Sequence, residues 1–257
     1  GALKADRFAS LRLSLFCGEA LPQETAVQWR QAAPHSVIEN IYGPTELTIA
    51  CTAYRWSDEL SPRQSHGGLV PIGEPLPGMD AIIVDHNLRE VGVGHSGELM
   101  LTGPQMALGY LDDDKRTSKA FVVPPGKQMR YYRTGDLVRR ASENSPLVYL
   151  GRLDNQIKVS GYRVELGEVE AAVRTASGAH GVVALGWPTI GSSAAGIAVF
   201  VQTDRLDIDA LRKDLAKALP SYMVPRSINI VASIPLNSNG KFDRSALTKI
   251  LESSQPD

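Results

Sequence analysis

The hydrophobic rhythm of the chain changes twice. Leu11 to Phe16 reads as a buried strand running into the turn Cys17-Gly-Glu-Ala-Leu-Pro22. Gln23 to Ala33 reads as a helix, stopped by Pro34 because proline cannot continue one. Val37 to Tyr42 is a second buried strand, ended by Gly43-Pro44. A helix between two buried strands predicts a βαβ unit and a parallel sheet. Ligands collect at the carboxyl ends of such strands, and Tyr42-Gly-Pro-Thr-Glu46 sits at one.

From about Ala50 to Leu150 short strands, such as Ala81–Val84, Gly97–Leu101 and Leu137–Arg140, alternate with Gly- and Pro-rich turns. That pattern predicts a small, mostly antiparallel sheet or barrel, interrupted by one helix at Lys115–Phe121. After Asp154 the texture changes again. Gln156–Val159 and Tyr162–Glu165 flank Gly161 and predict a hairpin. Leu166 to Thr175 predicts an amphipathic helix with Leu166, Val169 and Val173 on one face. Strands at Gly181–Leu185 and Ile197–Val201 follow, around a flexible turn Gly191–Gly196. A helix at Ile208–Ala218, a strand at Ile228–Val231 and a helix at Arg244–Leu251 complete a compact α+β domain. The expected division is 1–153 and 154–257, with no internal repeat.

Composition narrows the classes. Hydrophobic residues make up 43 % and charged residues 21 %, with a net charge of -1, so no bulk basic charge draws nucleic acid or an anionic membrane. No apolar run is long enough to span a bilayer, and the N-terminus lacks a signal-peptide core. Two cysteines, Cys17 and Cys51, are too few for a disulfide framework or a structural zinc site. A reducing cytoplasm is the default compartment. The five histidines share no metal-ligand spacing, and no G-x-S-x-G elbow occurs. Gly92-Val-Gly-His-Ser-Gly97 fits G-x-G-x-x-G, but a strand follows it where the dinucleotide fingerprint needs a helix. It is read as a hairpin turn.

Four signatures carry candidate chemistry, each with an ordinary alternative. Tyr42-Gly-Pro-Thr-Glu46 offers an aromatic face for a purine, a hydroxyl for phosphate and a carboxylate for Mg²⁺; alone, it is a strand-end turn with a helix-cap Thr. Thr134-Gly-Asp136 offers a carboxylate able to accept both hydroxyls of a ribose; alone, it is a hairpin turn. Gly151-Arg-Leu-Asp154 offers a planar fork for ribose or phosphate and a hinge at the domain boundary; alone, it is a surface ion pair worth little. Asn239-Gly-Lys241 offers a mobile ammonium to offset charge between a carboxylate and the α-phosphate; alone, it is a solvated turn lysine.

Together these motifs resemble the adenylate-forming superfamily, specifically amino-acid adenylation enzymes, over nearly the whole chain. Gly97-Glu-Leu-Met-Leu-Thr-Gly103 with Gly109-Tyr-Leu111, Tyr132-Arg-Thr-Gly-Asp-Leu137, Gly151 to Glu170, Leu219-Pro-Ser-Tyr-Met-Val-Pro225 and Asn239-Gly-Lys-Phe-Asp-Arg244 follow the family's later motifs in order. Leu15-Phe-Cys-Gly-Glu-Ala-Leu-Pro22 leans toward D-alanine:carrier-protein ligases. The fold implied is an α/β remnant of the large adenylation domain plus a small antiparallel β-subdomain, then a compact α+β C-terminal lid domain.

The resemblance implies activation of a small amino acid by Mg-ATP as aminoacyl-AMP. Transfer to a phosphopantetheine thiol on a partner carrier protein follows. Asn40, Ile41, Tyr42, Gly43, Pro44, Thr45, Asp136, Tyr149, Gly151, Arg152 and Lys241 would then line the nucleotide. Tyr42 would stack on adenine, Asp136 would hold the ribose hydroxyls, and Glu46 would serve Mg²⁺. Lys241, Arg152 and Thr45 would assist catalysis. Asp154 would be the hinge, and Gly161 would approach the pantetheine passage. Leu15, Cys17, Ile41, Ile49 and Ala50 would wall a pocket for a small aliphatic substrate, of the D-alanine type. Other readings are a peptide-synthetase adenylation domain for another small apolar amino acid, an acyl-CoA synthetase, and a non-catalytic interaction fragment. Neither the family's phosphate loop nor its amino-binding aspartate is found here. The expectation is a C-terminal fragment, inactive in adenylation alone.

Overall fold

The computed structural model describes residues 3–154, 156–190, 193–238 and 240–253. The chain forms two compact units, Gly1–Asp154 and Asn155–Asp257. Among the described residues no helix is long and apolar enough to cross a membrane.

The first unit opens with strand Leu13–Phe16, helix Gln23–Ala32 and strand Val37–Tyr42, the two strands pairing in parallel with Phe16 opposite Asn40. The sheet then continues antiparallel through Thr52–Arg55 and Glu74–Pro75, so only its first half is a βαβ unit. The expected buried strand is inverted. Ser14 is buried, while Leu13 and Leu15 are 52 % and 54 % exposed. Ser14 points at the helix, where its hydroxyl accepts from Trp29 Nε1 at 2.8 Å and pairs with the Ser36 hydroxyl at 2.7 Å. Ala26, Ile38, Tyr54 and Trp56 form the local core. A one-turn helix, Ser61–Gln64, carries no helical period in the sequence.

The second sheet of this unit is antiparallel throughout, built from Asp80–Val84, Ser96–Thr102, Phe121–Val122, Tyr131–Arg140 and Leu147–Arg152. Its strands run longer than the sequence suggests. Strand Ser96–Thr102 follows a turn with Gly94 at φ +86°, so Gly92–Gly97 is not a dinucleotide loop. Helix Asp114–Ala120 is capped by the Asp113 side chain, which accepts from Arg116 N. It ends before Phe121, which pairs with Tyr132 and is buried; cross-strand burial outweighs helical continuation there.

The second unit holds a three-stranded sheet between helices and a second, four-stranded sheet. Gly181–Gly186, Ile197–Gln202 and Ser227–Val231 make the three-stranded sheet. Period-two alternation gives it two apolar faces. Val182, Ala184, Val199 and Val201 pack with helices Leu166–Ser177 and Ile208–Ala218, including Leu166, Val169, Val173, Leu211 and Leu215. Val183, Leu185 and Phe200 pack with Leu247 and Leu251 of helix Arg244–Ser253. The hairpin Gln156–Val159/Tyr162–Glu165 turns through Ser160 at φ +51° and Gly161 at φ +81°, the double left-handed geometry of a two-residue hairpin. Of the turn at Gly191–Gly196, Gly191 and Ser192 lie outside the described residues; Ser193–Ala194 pairs with Thr189–Ile190.

Candidate functional site

Thr134-Gly-Asp136 is a bulge within a strand, not a hairpin end. Glu98 pairs with Leu137 and Met100 with Arg133, so Leu99 alone faces Thr134–Asp136. Such a bulge re-aims side chains. Thr134 pins it: its hydroxyl donates to Leu99 O at 2.6 Å and accepts from Asp136 N at 3.0 Å. Arg152, directly opposite Asp136 on the next strand, then reaches across. Its Nη1 donates to Asp136 Oδ1 at 2.7 Å and to Thr134 O at 2.9 Å. Its Nε and Nη2 donate to the two oxygens of Asp154 at 2.7 and 2.6 Å. The guanidinium packs so closely on the backbone that a Cβ on Gly135 would lie 2.5 Å from Nη2 and 2.8 Å from Asp154 Oδ2. With φ at +69° as well, glycine is strongly favoured at position 135.

Tyr42, the last residue of its strand, completes the cluster by donating its hydroxyl to Asp136 Oδ2. Burial, then the Asp136 charge and hydrogen bond, hold the Tyr42 phenol well above its ordinary pKa. It therefore remains a donor at neutral pH. Burial works against the Arg152 charge, but the hydrogen bond to Asp154 and the charges of Asp136 and Asp154 outweigh it, and the guanidinium is held firmly protonated. Two chain donors thus occupy one position on each Asp136 oxygen. A carboxylate has about four such positions, so among the described residues one on each oxygen has no donor, a match for a vicinal diol. Arg152 is committed to Asp136 and Asp154, which makes it a brace for the carboxylate. Beside it, Gly151 has φ +139° and open space where a Cβ would stand.

The turn after Tyr42 is equally fixed. A Cβ on Gly43 would lie 2.6 Å from Ile49 O and 2.8 Å from Cys51 Sγ, so glycine lets the 49–51 segment fold back. Pro44 precedes a 3-10 turn, Thr45–Leu47, without a side-chain cap. Thr45 is exposed and does not serve as the helix cap that its sequence position suggests. Glu46 is buried, and its Oε1 accepts from the Tyr110 hydroxyl at 2.5 Å. Burial, then that hydrogen bond, raises the Tyr110 pKa. The Arg116 guanidinium lies 4.2 Å from the Tyr110 ring centre.

Two expected nucleotide residues also make structural contacts. Asn40 is buried, and its amide donates to Pro71 O at 2.8 Å and Val70 O at 3.4 Å, tying strand to loop. Tyr149 packs in the core with Leu47, Tyr132 and Tyr42.

Among the expected pocket residues, the sheet register and period place Leu15 and Ile41 on one face, with Cys17 exposed just past the first strand. Ile49 is 65 % exposed, and Ala50 is half-buried. The neighbouring Cys51 thiol is pushed up to about 12 by burial and the Cys17 charge, so it is a neutral wall rather than a nucleophile.

Lys241 belongs to the second unit. Leu236 and Phe242 bridge across its turn. Asn237 N donates to Lys241 O at 2.7 Å, Lys241 N donates to Asn237 Oδ1 at 3.1 Å, and Gly240 N donates to Asn237 O at 3.0 Å. Asn239 lies outside the described residues. Asp243 then caps the last helix at Ala246 N, and Arg244 anchors it to Glu170 Oε1 at 2.7 Å and to Ala184 O. Asn237 and Gln105 carry no signal in the sequence, and Tyr110 and Glu170, though inside quoted motifs, give no sign there of these contacts, because each works through a partner visible only after folding.

Glu46 is an oxygen donor of the type that suits Mg²⁺. Among the described residues no group of three or more His, Cys, Asp or Glu could hold a metal. Glu46 would therefore be one protein oxygen beside phosphates and water, the way Mg²⁺ is commonly bound.

Known proteins share this arrangement of elements. The profile of the family described as "AMP-binding enzyme" matches residues 1–111. Tyrocidine synthase 3 of Brevibacillus parabrevis is 38 % identical over 93 % of this chain and 4 % of its own length. D-alanine--D-alanyl carrier protein ligase of Bacillus licheniformis is 35 % identical over 92 % of this chain and 47 % of its own. The crystal structure of the Vibrio cholerae adenylation domain AlmE, in complex with glycyl-adenosine-5'-phosphate, superposes with a TM-score of 0.85 at 35 % identity, covering 98 % of this chain and 47 % of that one. The chain thus spans less than half the length of these relatives. It belongs to the AMP-binding enzyme family, as part of an adenylation domain.

Proposed function

We propose that this chain contributes the ribose-holding half of the site and the mobile lid of an AMP-forming amino acid:carrier-protein ligase. The carrying observation is Asp136, whose two oxygens accept from Tyr42 and Arg152, one donor on each among the described residues. In this reading the ribose diol binds Asp136, the Tyr42 ring faces adenine, and the exposed Thr45 hydroxyl meets phosphate. Glu46, oriented by Tyr110, would hold Mg²⁺, which would supply positive charge at the phosphates. Lys241 brings its ammonium to the amino-acid carboxylate and the α-phosphate, where charge develops as they react. Pyrophosphate leaves, and a carrier phosphopantetheine thiol then takes the aminoacyl group, releasing AMP. Asp154 is the hinge between these steps, and Gly161 borders the pantetheine passage.

The substrate is a small apolar amino acid, favoured by the apolar wall Leu15, Cys17, Ile41, Ile49 and Ala50. D-alanine is the specific choice supported by the carrier-protein ligase relative; the glycyl adenylate in AlmE points to the same size class. Amino-acid-dependent ATP–pyrophosphate exchange by the full-length protein, over a panel with glycine and both alanine enantiomers, tests it. Exchange peaking at a small amino acid is expected. Exchange that no amino acid stimulates sinks it.

A further inference from the structure

Ile49 is the strained point of the first unit. Its φ is +75°, and Ala50 N donates to Thr48 O at 2.9 Å around it, which is a γ-turn of the rare, positive-φ kind. A β-branched residue there is a genuine outlier. Thr48 before it is also left-handed, at φ +57°. Strain of this type persists only where the surroundings over-determine it. Burial does not compensate, because Ile49 is largely exposed.

What holds the turn is Gln105, 55 residues beyond Ala50. Its side-chain Nε2 donates to Leu47 O at 2.7 Å and to Ala50 O at 2.5 Å, the carbonyls that bracket the strained pair. The grip is returned: Thr48 Oγ1 donates to Gln105 O at 2.9 Å, and Ala107 N donates to Glu46 O at 2.8 Å. Below, Gly43 leaves room for Ile49 O to pack against the backbone. One amide thus fixes both ends of a turn that presents an exposed aliphatic side chain.

We propose that Gln105 is a specificity-determining positioning residue. Its amide sets the Thr48–Ala50 turn, and the set turn presents Ile49 and Ala50 to the side chain of the amino-acid substrate. The shape of the loop, and not only the identity of its side chains, then limits the size of substrate admitted. This rests on the amino-acid ligase reading above. Gln105 touches no reacting atom; it acts through the wall.

The test uses Gln105→Ala and Gln105→Glu, the second keeping the side-chain shape while removing both donors. In the full-length protein, hydrogen–deuterium exchange at residues 48–51 should quicken about tenfold in either variant, the scale expected for two lost hydrogen bonds. Pyrophosphate exchange should then show the kcat/KM ratio of alanine to leucine falling about tenfold, with the KM for ATP within about twofold of the wild type. Unchanged amide exchange at 48–51 overturns the inference by itself. So does a quickened loop with an unchanged substrate ratio, or with amino-acid and ATP KM rising together as a general loosening would give. If wild-type exchange responds to no amino acid, the ligase reading fails and takes this inference with it, a result the loop measurement tells apart from a failed clamp.

Discussion

The two units hold their site charges in opposite ways. In the first, Arg152 is bonded to Asp136, Asp154 and a backbone carbonyl, and Tyr42 closes on the far oxygen of Asp136. In the second, Lys241 is exposed and is fixed through its backbone by Asn237, at the end of a helix that Arg244 anchors to Glu170. A braced carboxylate costs little to reorganise when a ligand arrives. In the proposed reaction, an exposed lysine anchored through its backbone would meet a charge that develops only as bonds change. Binding and rate should therefore separate between the units.

Lys241→Ala is the sharpest way to break that contrast. Pyrophosphate exchange should fall by roughly two to three powers of ten, while the melting temperature stays put because the side chain is exposed. Asp136→Ala should act on the other side of it. Removing one partner of this buried pair leaves Arg152 partly unpaired and should cost about 2–4 kcal/mol of stability; AMP affinity measured by calorimetry should fall as well. Gly43→Ala forces a Cβ to within 2.6 Å of Ile49 O and should cost about 1–3 kcal/mol, read as a denaturant midpoint shift.

The smallest effect concerns pH. The Tyr42 phenol is raised above its ordinary value of 10.0, so its contribution to stability is fully present below about pH 10 and is lost as pH rises beyond it. Tyr42→Phe should make the alkaline fall in stability shallower without abolishing it, since Tyr54, Tyr110 and Tyr131 are raised too. An unaltered alkaline slope would contradict a Tyr42 phenol held above its ordinary value by burial and Asp136.

Much of the fold was legible where one local rule decided it. The segments flanking Gly161 announced a hairpin, and Leu166, Val169 and Val173 announced a buried helical face; both are present. The strand at Leu13–Phe16 was legible in position but not in polarity. Period two names two faces without saying which is covered, and here Ser14 meets Trp29 while Leu13 and Leu15 face out. Thr134-Gly-Asp136 announced a carboxylate after glycine, yet its bulge depends on Leu99 in another strand. The motif residues Tyr42, Asp136, Arg152 and Asp154 gather in one cluster. Asn40 and Tyr149, read as nucleotide contacts, are held by packing and loop bonds that no local pattern encodes. Gln105 escaped for the same reason, since its partners are backbone carbonyls of a distant turn.

The central claim is that the first unit holds the adenylate and Lys241 serves only its formation. Supplying preformed aminoacyl-adenylate to the full-length Lys241→Ala protein, and measuring thioester on the carrier phosphopantetheine in a single turnover, tests it most directly. The account predicts transfer within about threefold of the wild type, against a loss of roughly a hundredfold or more in pyrophosphate exchange. Equal loss of both half-reactions, or undiminished exchange, would contradict it.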